Sequence, residues 1–150
     1  MFRKILFTLL ACGFVYGTES FEKLSPGAFT SGSVEYGEMV AEAGHAEVMS
    51  RGRTGRLSLR LLGGEGKSAE LKLSKKLVKD TGFVFWFERW TKKEPFRLVV
   101  TALTPQGEKE VTVLDKAGTG GFSNKVAGSL PAGTTGMRIT ATTPAGAGAI

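Results

Sequence analysis

Short runs of alternating apolar and polar residues recur along this chain roughly every ten residues, separated by glycine-rich turns. In the segment 56–62, three leucines alternate with a serine and an arginine. Alternation with a period of two is typical of a strand that buries one face. Because the runs follow one another without long helical patterns, they predict an all-β fold. The expected architecture is an antiparallel β-sandwich of the jelly-roll type with about eight or nine strands.

The same pattern predicts the individual strands. A first strand is expected at Glu19–Glu22, and the stretch 27–46 is expected to form loops with at most one weak strand, Val34–Val40. The alternating runs on either side of Gly63–Gly66 predict a β-hairpin. One turn of helix at most is expected, within Leu71–Lys79. The remaining strands are expected at Gly82–Trp90, Phe96–Leu103, Glu110–Leu114, Ser123–Leu130 and Gly136–Thr142.

The segment Gly82–Trp90 is apolar on both faces at its start. Its three phenylalanines would point to one side of a strand, and Val84 and Trp86 to the other. Such a strand is predicted to lie in the middle of a sheet, covered on both sides.

The N-terminus has the layout of a secretory signal, since Arg3 and Lys4 precede about ten apolar residues. This segment is too short to cross a bilayer as a stable helix. Cleavage after Gly17 would remove residues 1–17 and leave a β-sandwich domain of residues 18–150, exported to the periplasm, the cell surface or the medium. Two alternatives stay open: a lipoprotein signal ending at Cys12, and a native N-terminus that is buried.

Composition and charge exclude several classes of function. The formal net charge is +6, and without Arg3 and Lys4 it becomes +4, from 18 basic and 14 acidic residues. Because basic and acidic residues are interleaved, the chain lacks the basic patch of a nucleic-acid-binding protein. A single cysteine and a single histidine exclude a disulfide framework and a zinc site built from these residues.

Three patterns resemble catalytic or nucleotide-binding motifs without completing them. Gly63–Ser68 ends like a phosphate loop, but Leu61 occupies the first glycine position and a strand follows. A Ser/His/Asp triad at His45 would need Asp80 or Asp115, the only two aspartates, and both are expected to be solvated turn residues. The glutamates suffice by number for a glycosidase pair, but most alternate with lysine or arginine, as on a solvated sheet face.

Aromatic side chains are the candidate ligand contacts, because flat rings pack against the apolar face of a pyranose. Trp86 stands among phenylalanines and is expected in the core, whereas Trp90 stands at a strand end beside charged residues. Arg89 would pair with a neighbouring glutamate or hold an acidic group of a ligand. The predicted ligand-binding residues are therefore Trp90, Arg89 and Tyr36.

The stretch Phe85-Trp-Phe-Glu-Arg-Trp-Thr-Lys-Lys-Glu-Pro-Phe96 resembles part of a known module. This module is the β-sandwich that precedes the catalytic propeller in secreted bacterial exo-alpha-sialidases, the BNR-repeat neuraminidases. Further matching pieces are Glu19-Ser-Phe-Glu22, Ser58-Leu-Arg-Leu61 and Leu130-Pro-Ala-Gly-Thr134, so the resemblance spans most of residues 19–150. It implies a non-catalytic, carbohydrate-binding-like accessory module that contacts glycan or docks a downstream catalytic domain of the same polypeptide.

The catalytic motifs of the sialidases are incomplete in this chain. Phe96-Arg-Leu-Val99 lacks the proline of the family's Phe-Arg-Ile-Pro motif. The stretch 80–86 departs from an Asp box, because Trp86 comes one place too late and Val78 replaces a serine. The arginine clamp, the acid aspartate and the Tyr/Glu nucleophile would lie beyond residue 150. The resemblance therefore implies no enzymatic activity for the chain on its own.

The C-terminal residues Thr142–Ile150 read as a turn followed by the first residue of another strand. We therefore expect a sandwich that stops before its closing strand and leaves an apolar edge uncovered. In many carbohydrate-binding jelly rolls a Ca²⁺ ion joins the first and last strands, and Glu22 stands where such a site would need a carboxylate. Without the closing strand, a structural Ca²⁺ site at Glu22 would be weak. The alternative is that Glu22 binds no metal and is a solvated residue at the edge of a strand.

Two functions remain from the sequence. The first is the accessory module of an exported sialidase-type glycoside hydrolase, with glycan and the catalytic domain as partners. The alternative is a stand-alone structural or adhesion β-sandwich of the cell envelope without affinity for sugar. Neither function involves nucleic acid or a membrane span.

Overall fold

A computed structural model describes residues 21–53, 55–146 and 150. In these ranges the chain forms eleven strands and no helix. The strands are β1 (Gly27–Phe29), β2 (Ser31–Val34), β3 (Gly37–Val40), β4 (Ala46–Met49), β5 (Ser58–Leu61), β6 (Gly64–Leu73), β7 (Thr81–Phe87), β8 (Arg97–Thr104), β9 (Gly107–Leu114), β10 (Asn124–Leu130) and β11 (Gly136–Thr143). The predicted all-β antiparallel sandwich is confirmed, with more strands than the eight or nine expected.

The strands form two layers. The first is a six-stranded sheet in the order β2-β3-β6-β11-β8-β9, in which β6 and β11 are the central strands. The second consists of a three-stranded sheet, β1-β4-β5, and a two-stranded sheet, β10-β7. Every ladder between these strands is antiparallel.

The hydrophobic core lies between the layers, because alternate residues of each strand point inward. The second layer contributes the phenylalanines of β7 and the first layer the apolar residues of β8: Phe83, Phe85, Phe87, Leu98, Val100 and Ala102, all buried. Burying a large apolar side chain contributes about 1.5–3 kcal/mol to folding. This alternating set is therefore a substantial part of the core that stabilises the sandwich.

The hairpin predicted around Gly63–Gly66 is wrong. Strand β5 pairs with β4 in the second layer, while β6 pairs with β3 and β11 in the first. Strand β6 begins at Gly64, so most of the glycine-rich run belongs to the strand itself, and the chain crosses between the layers there. Alternation determines which face of a strand is buried, but it does not determine which strand becomes its neighbour.

Two predictions for the N-terminal half are also corrected. The stretch 27–46 contains β1, β2, β3 and the start of β4 rather than loops with one weak strand. Strands of three or four small or charged residues are too short to show a clear period. Phe21 and Glu22 lie in a turn, in which Leu24 N donates to Phe21 O at 2.9 Å. The rest of that predicted strand and the predicted signal segment, including Cys12, lie outside the described residues.

The predicted helical turn within Leu71–Lys79 is wrong as well, because β6 continues to Leu73 and irregular chain follows. The strands predicted in the C-terminal half are confirmed as β8, β9, β10 and β11, and the turn 104–107 joins β8 to β9. In the described part of the chain, no helix has the length and apolar character needed to cross a membrane.

Candidate functional site

The outer face of the second layer carries aromatic and charged side chains around the ends of β5 and β7. We call this group the tryptophan surface. Its members are Trp86, Trp90, Arg51, Arg53, Arg60, Lys125, Glu47 and Glu88. Strands β4, β5, β7 and β10, with the loops that follow β4 and β7, position these residues.

Trp90 is the exposed aromatic residue of this surface. Its side chain follows β7 and is 40% exposed, more than any other aromatic residue that the structure describes. The Arg60 guanidinium lies 4.1 Å from the ring centroid, and its Nη1 donates to Glu47 Oε1 at 2.7 Å. Arg60 and Glu47 are cross-strand partners on β5 and β4, so the strand register holds this ion pair beside the ring.

Trp86 lies on the outward face of β7, where it is half-buried. The Arg53 guanidinium lies 3.9 Å from its ring centroid, and the ammonium of Lys125, its cross-strand partner on β10, lies 5.9 Å away. The sequence predicts a core position for this residue. The structure instead covers its ring with cations, an attractive arrangement because the face of an indole is electron-rich.

Glu88 connects three segments beneath this surface. Its side chain is buried, and Oε1 accepts hydrogen bonds from Arg51 Nη2 at 3.1 Å and from the backbone N–H of Gly121 at 3.0 Å. The carboxylate therefore joins the end of β7 to the loop after β4 and to the loop before β10.

Arg89 is a buried residue that organises the loop after β7. Its side chain is 7% exposed. Nη1 donates to Ala117 O at 3.2 Å, and Nη2 donates to Lys92 O at 3.2 Å, Lys93 O at 2.9 Å and Glu94 Oε1 at 3.1 Å. The guanidinium also lies 4.5 Å from the ring centroid of Phe96. Although the sequence predicts a ligand contact here, this geometry directs the donors to the protein's own loops.

The third predicted ligand contact, Tyr36, lies away from Trp90. It belongs to the turn between β2 and β3, at the edge of the six-stranded sheet, and packs against the hydrophobic core. Its carbonyl oxygen accepts a hydrogen bond from Ser74 N at 2.9 Å. Of the three predicted ligand residues, only Trp90 therefore presents its side chain on the tryptophan surface.

The predicted metal ligand, Glu22, is engaged by the loop that precedes β5. Its Oε1 accepts hydrogen bonds from the backbone N–H groups of Arg56 at 2.7 Å and Leu57 at 3.1 Å, and its Oε2 lies 3.5 Å from Arg56 Nε. Within the described ranges, no group of three or more His, Cys, Asp or Glu side chains is arranged to hold a metal ion. The geometry thus gives Glu22 a structural contact in the second layer.

The outer face of the six-stranded sheet carries a separate charged cluster. Arg138 on β11 makes two hydrogen bonds to Glu108 on β9, at 3.0 and 2.7 Å, and lies 3.5 Å from Glu70 on β6. The hydrogen bond and the positive charge of Arg138 lower the pKa of Glu108 below its ordinary value of 4.5. The same hydrogen bond raises the pKa of Arg138. Because Glu108 is exposed, water screens this pair and its effect on stability is small.

An apolar cavity of about 60 Å³ lies between the layers, close to the tryptophan surface. Both sheets of the second layer and the first layer contribute to its wall. The lining side chains include Leu59 and Leu61 of β5, Phe85 and Phe87 of β7, Met39, Ala69 and Ile139 of the first layer, and Ile150.

Sequence reasoning missed most of the charged partners of the two tryptophans. Lys125 follows Trp86 by many residues in the chain, and only the register of β7 against β10 brings them together. The alternation along β5 identifies Arg60 as an outward-facing residue, but the sequence around it does not indicate that it lies beside Trp90.

Comparison with known proteins adds little to this geometry. No protein-family model matches the sequence, and no curated protein matches it significantly. Similar solved structures include a "Family 16 Carbohydrate Binding Module-2", with a TM-score of 0.47 and 14% sequence identity. The match covers 70% of this chain and 79% of that chain.

Proposed function

We propose that this chain is a non-catalytic binding module that contacts glycan through the tryptophan surface. The observation that carries the proposal is the exposed ring of Trp90 beside the Arg60–Glu47 ion pair. An aromatic ring packs against the apolar face of a sugar. The neighbouring guanidinium and carboxylate offer donors and acceptors to its hydroxyl groups.

The charges of the tryptophan surface favour acidic glycans. Arg51 and Arg60 are paired with Glu88 and Glu47, whereas Arg53 and Lys125 lie against Trp86 and form no ion pair with any described residue. The surface therefore carries an excess of positive charge. Since cations bind carboxylates and sulfates by charge-assisted hydrogen bonds, a sugar with such a group should bind better than its neutral counterpart.

The biological setting is proposed on the sequence resemblance. The aromatic stretch that resembles the sialidase module forms the end of β7 and the loop that Arg89 organises, next to the tryptophan surface. We propose that the module belongs to an exported sialidase-type glycoside hydrolase, with residues 1–17 as its signal or with Cys12 as its lipid attachment site. Its partners are then glycan and the catalytic domain of the same polypeptide.

A second candidate function follows from Trp86. Its ring lies against Arg53 and Lys125, so this tryptophan is already occupied by intramolecular contacts. If Trp90 binds no sugar either, these contacts serve stability, and the chain is a structural or adhesion β-sandwich.

The experiment is a glycan array with purified residues 18–150, followed by calorimetry on the best ligand and on its neutral analogue. Replacing Trp90 with alanine should weaken binding by about 1–3 kcal/mol, roughly a 5- to 150-fold loss of affinity, because one aromatic contact is removed. Val78→Ala is the matched control, because Val78 is 89% exposed and lies outside the tryptophan surface. Its affinity should equal that of the parent.

Thermal unfolding of each variant shows whether the fold is retained. Unchanged affinity in a folded Trp90→Ala protein would place the glycan site elsewhere. The absence of binding to every glycan on the array would favour the structural candidate.

A further inference from the structure

The second layer is divided opposite the centre of the first. Strands β5 and β7 line the same cavity as Ala69 and Ile139, which lie on β6 and β11, the central strands of the six-stranded sheet. The described residues nevertheless form no ladder between β5 and β7. The part of the second layer that faces the middle of the core therefore contains a slot bounded by β5 and β7.

The burial of Ile139 shows that this slot leaves the core incompletely covered. Ile139 points inward and lies between its cross-strand partners Ala69 and Val100, which are 2% and 0% exposed. Ile139 itself is only half-buried, although it belongs to a central strand. An apolar side chain at the centre of a sandwich is normally covered by the facing sheet.

Strand β7 is long and apolar but pairs along one edge. It is apolar on both faces, the pattern of a strand that is covered above and below. In the part of the chain that the structure describes, β10 is its only ladder partner. A long apolar strand with an unpaired edge is a template for the addition of another strand.

The first contact of such an added strand is present in the structure. Leu61 N donates to Ile150 O at 2.7 Å, and Ile150 N donates to Leu61 O at 3.2 Å. Two reciprocal bonds between one pair of residues are characteristic of an antiparallel ladder. They lie on the edge of β5 that faces away from β4, and the Ile150 side chain lines the cavity.

We propose that the slot between β5 and β7 receives a β-strand that continues from Ile150 and runs antiparallel to β5. The pair Ile150–Leu61 fixes the register. Because side chains alternate, the second residue after Ile150 lies opposite Leu59 and points into the cavity, whereas the first residue points outward. The occupant is therefore an extended segment with apolar residues at every second position, in phase with Ile150.

Two extended variants of residues 18–150 test this register. The first carries the four residues Thr-Val-Thr-Val after Ile150, which places both valines in phase with Ile150. The second carries Val-Thr-Val-Thr, which has the same composition but directs the valines outward. The in-phase extension should raise the midpoint of thermal unfolding by about 5 °C or more over the unextended chain, and the out-of-phase extension should raise it much less.

Binding of the dye ANS (8-anilinonaphthalene-1-sulfonate) provides a second measurement that does not depend on the unfolding midpoint. Its fluorescence should fall only with the in-phase extension, because the apolar slot is then filled. Equal effects of the two extensions, or no effect of either, would overturn the proposal. So would an unextended chain that is a dimer and dissociates when extended in phase, since a second copy would then be the occupant.

Discussion

At the scale of single residues, burial decides what each arginine does. Arg60 is half-buried, and its ion pair with Glu47 orients it beside Trp90. Arg89 comes directly before the same tryptophan but is buried, and its donors satisfy carbonyl groups of two loops. A guanidinium suits this second role because it offers several donors in one plane and stays charged when buried.

Arg89→Ala should therefore lower the free energy of unfolding by about 3 kcal/mol, because buried carbonyl groups lose a charged donor. Arg89→Lys should recover little of this loss, since an ammonium cannot reproduce the planar arrangement of donors. Urea unfolding at neutral pH measures both changes. The control is Arg97→Ala, which breaks the exposed Arg97–Asp115 pair and should cost less than about 1 kcal/mol. Similar losses for Arg89→Ala and Arg97→Ala would contradict the structural role of Arg89.

At the scale of elements, close backbone approaches set the register of the strands. Gly37 begins β3 opposite Leu73 of β6, with a φ of 156°. A Cβ atom at this position would overlap the carbonyl oxygen of Lys72. Because that oxygen belongs to β6, a central strand of the six-stranded sheet, it cannot move without disturbing the pairing of β6 with its neighbours.

Gly37→Ala should lower the free energy of unfolding by about 3 kcal/mol, from backbone strain and overlap together. Gly66→Ala is the matched control, since Gly66 has a φ of 61° and open space where a Cβ would lie. It should cost about 1 kcal/mol, from the left-handed backbone alone. Denaturant unfolding of the two variants separates the contributions, and equal losses would show that the overlap with Lys72 is relieved without cost.

At the scale of the whole molecule, ion pairs hold arginines on both layers, whereas Arg53 and Lys125 form no ion pair with any described residue and lie on the tryptophan surface. Arg138 is held by Glu108 and Glu70 on the outer face of the six-stranded sheet. Arg51 and Arg60 are held by carboxylates on the other layer. These ion pairs stabilise the two layers of the sandwich, as expected of a domain that presents a binding surface.

Purified residues 18–150 should therefore show no turnover of a fluorogenic sialoside above a blank without protein. The sequence lacks the arginine clamp and the nucleophile pair of the sialidases, so no group is expected to stabilise the transition state. A known sialidase under the same conditions serves as the positive control. Turnover that persists through further purification and disappears on heat denaturation would refute the proposal of a non-catalytic module.

The sequence by itself was sufficient for the fold class and for the exposure of one tryptophan. The alternation along β8 and along β11 shows which faces are buried, because the period of a strand is a local property. The position of Trp90 at the end of an apolar run among charged residues indicated an exposed ring, and the structure places it at the surface.

The tertiary structure decided which strands pair and which side chains lie next to one another. The alternating run of β5 pairs with β4 rather than with β6, and Lys125 reaches Trp86 through the pairing of β10 with β7. Glu22 meets the backbone of Arg56 across a long stretch of chain, and Arg89 is enclosed by the loop before β8 and the loop after β9. These outcomes depend on strand order and register, which arise from competition among all possible pairings for one core. A local pattern therefore determines which side of a strand is buried, whereas only the assembled sheets determine what that side, or its edge, contacts.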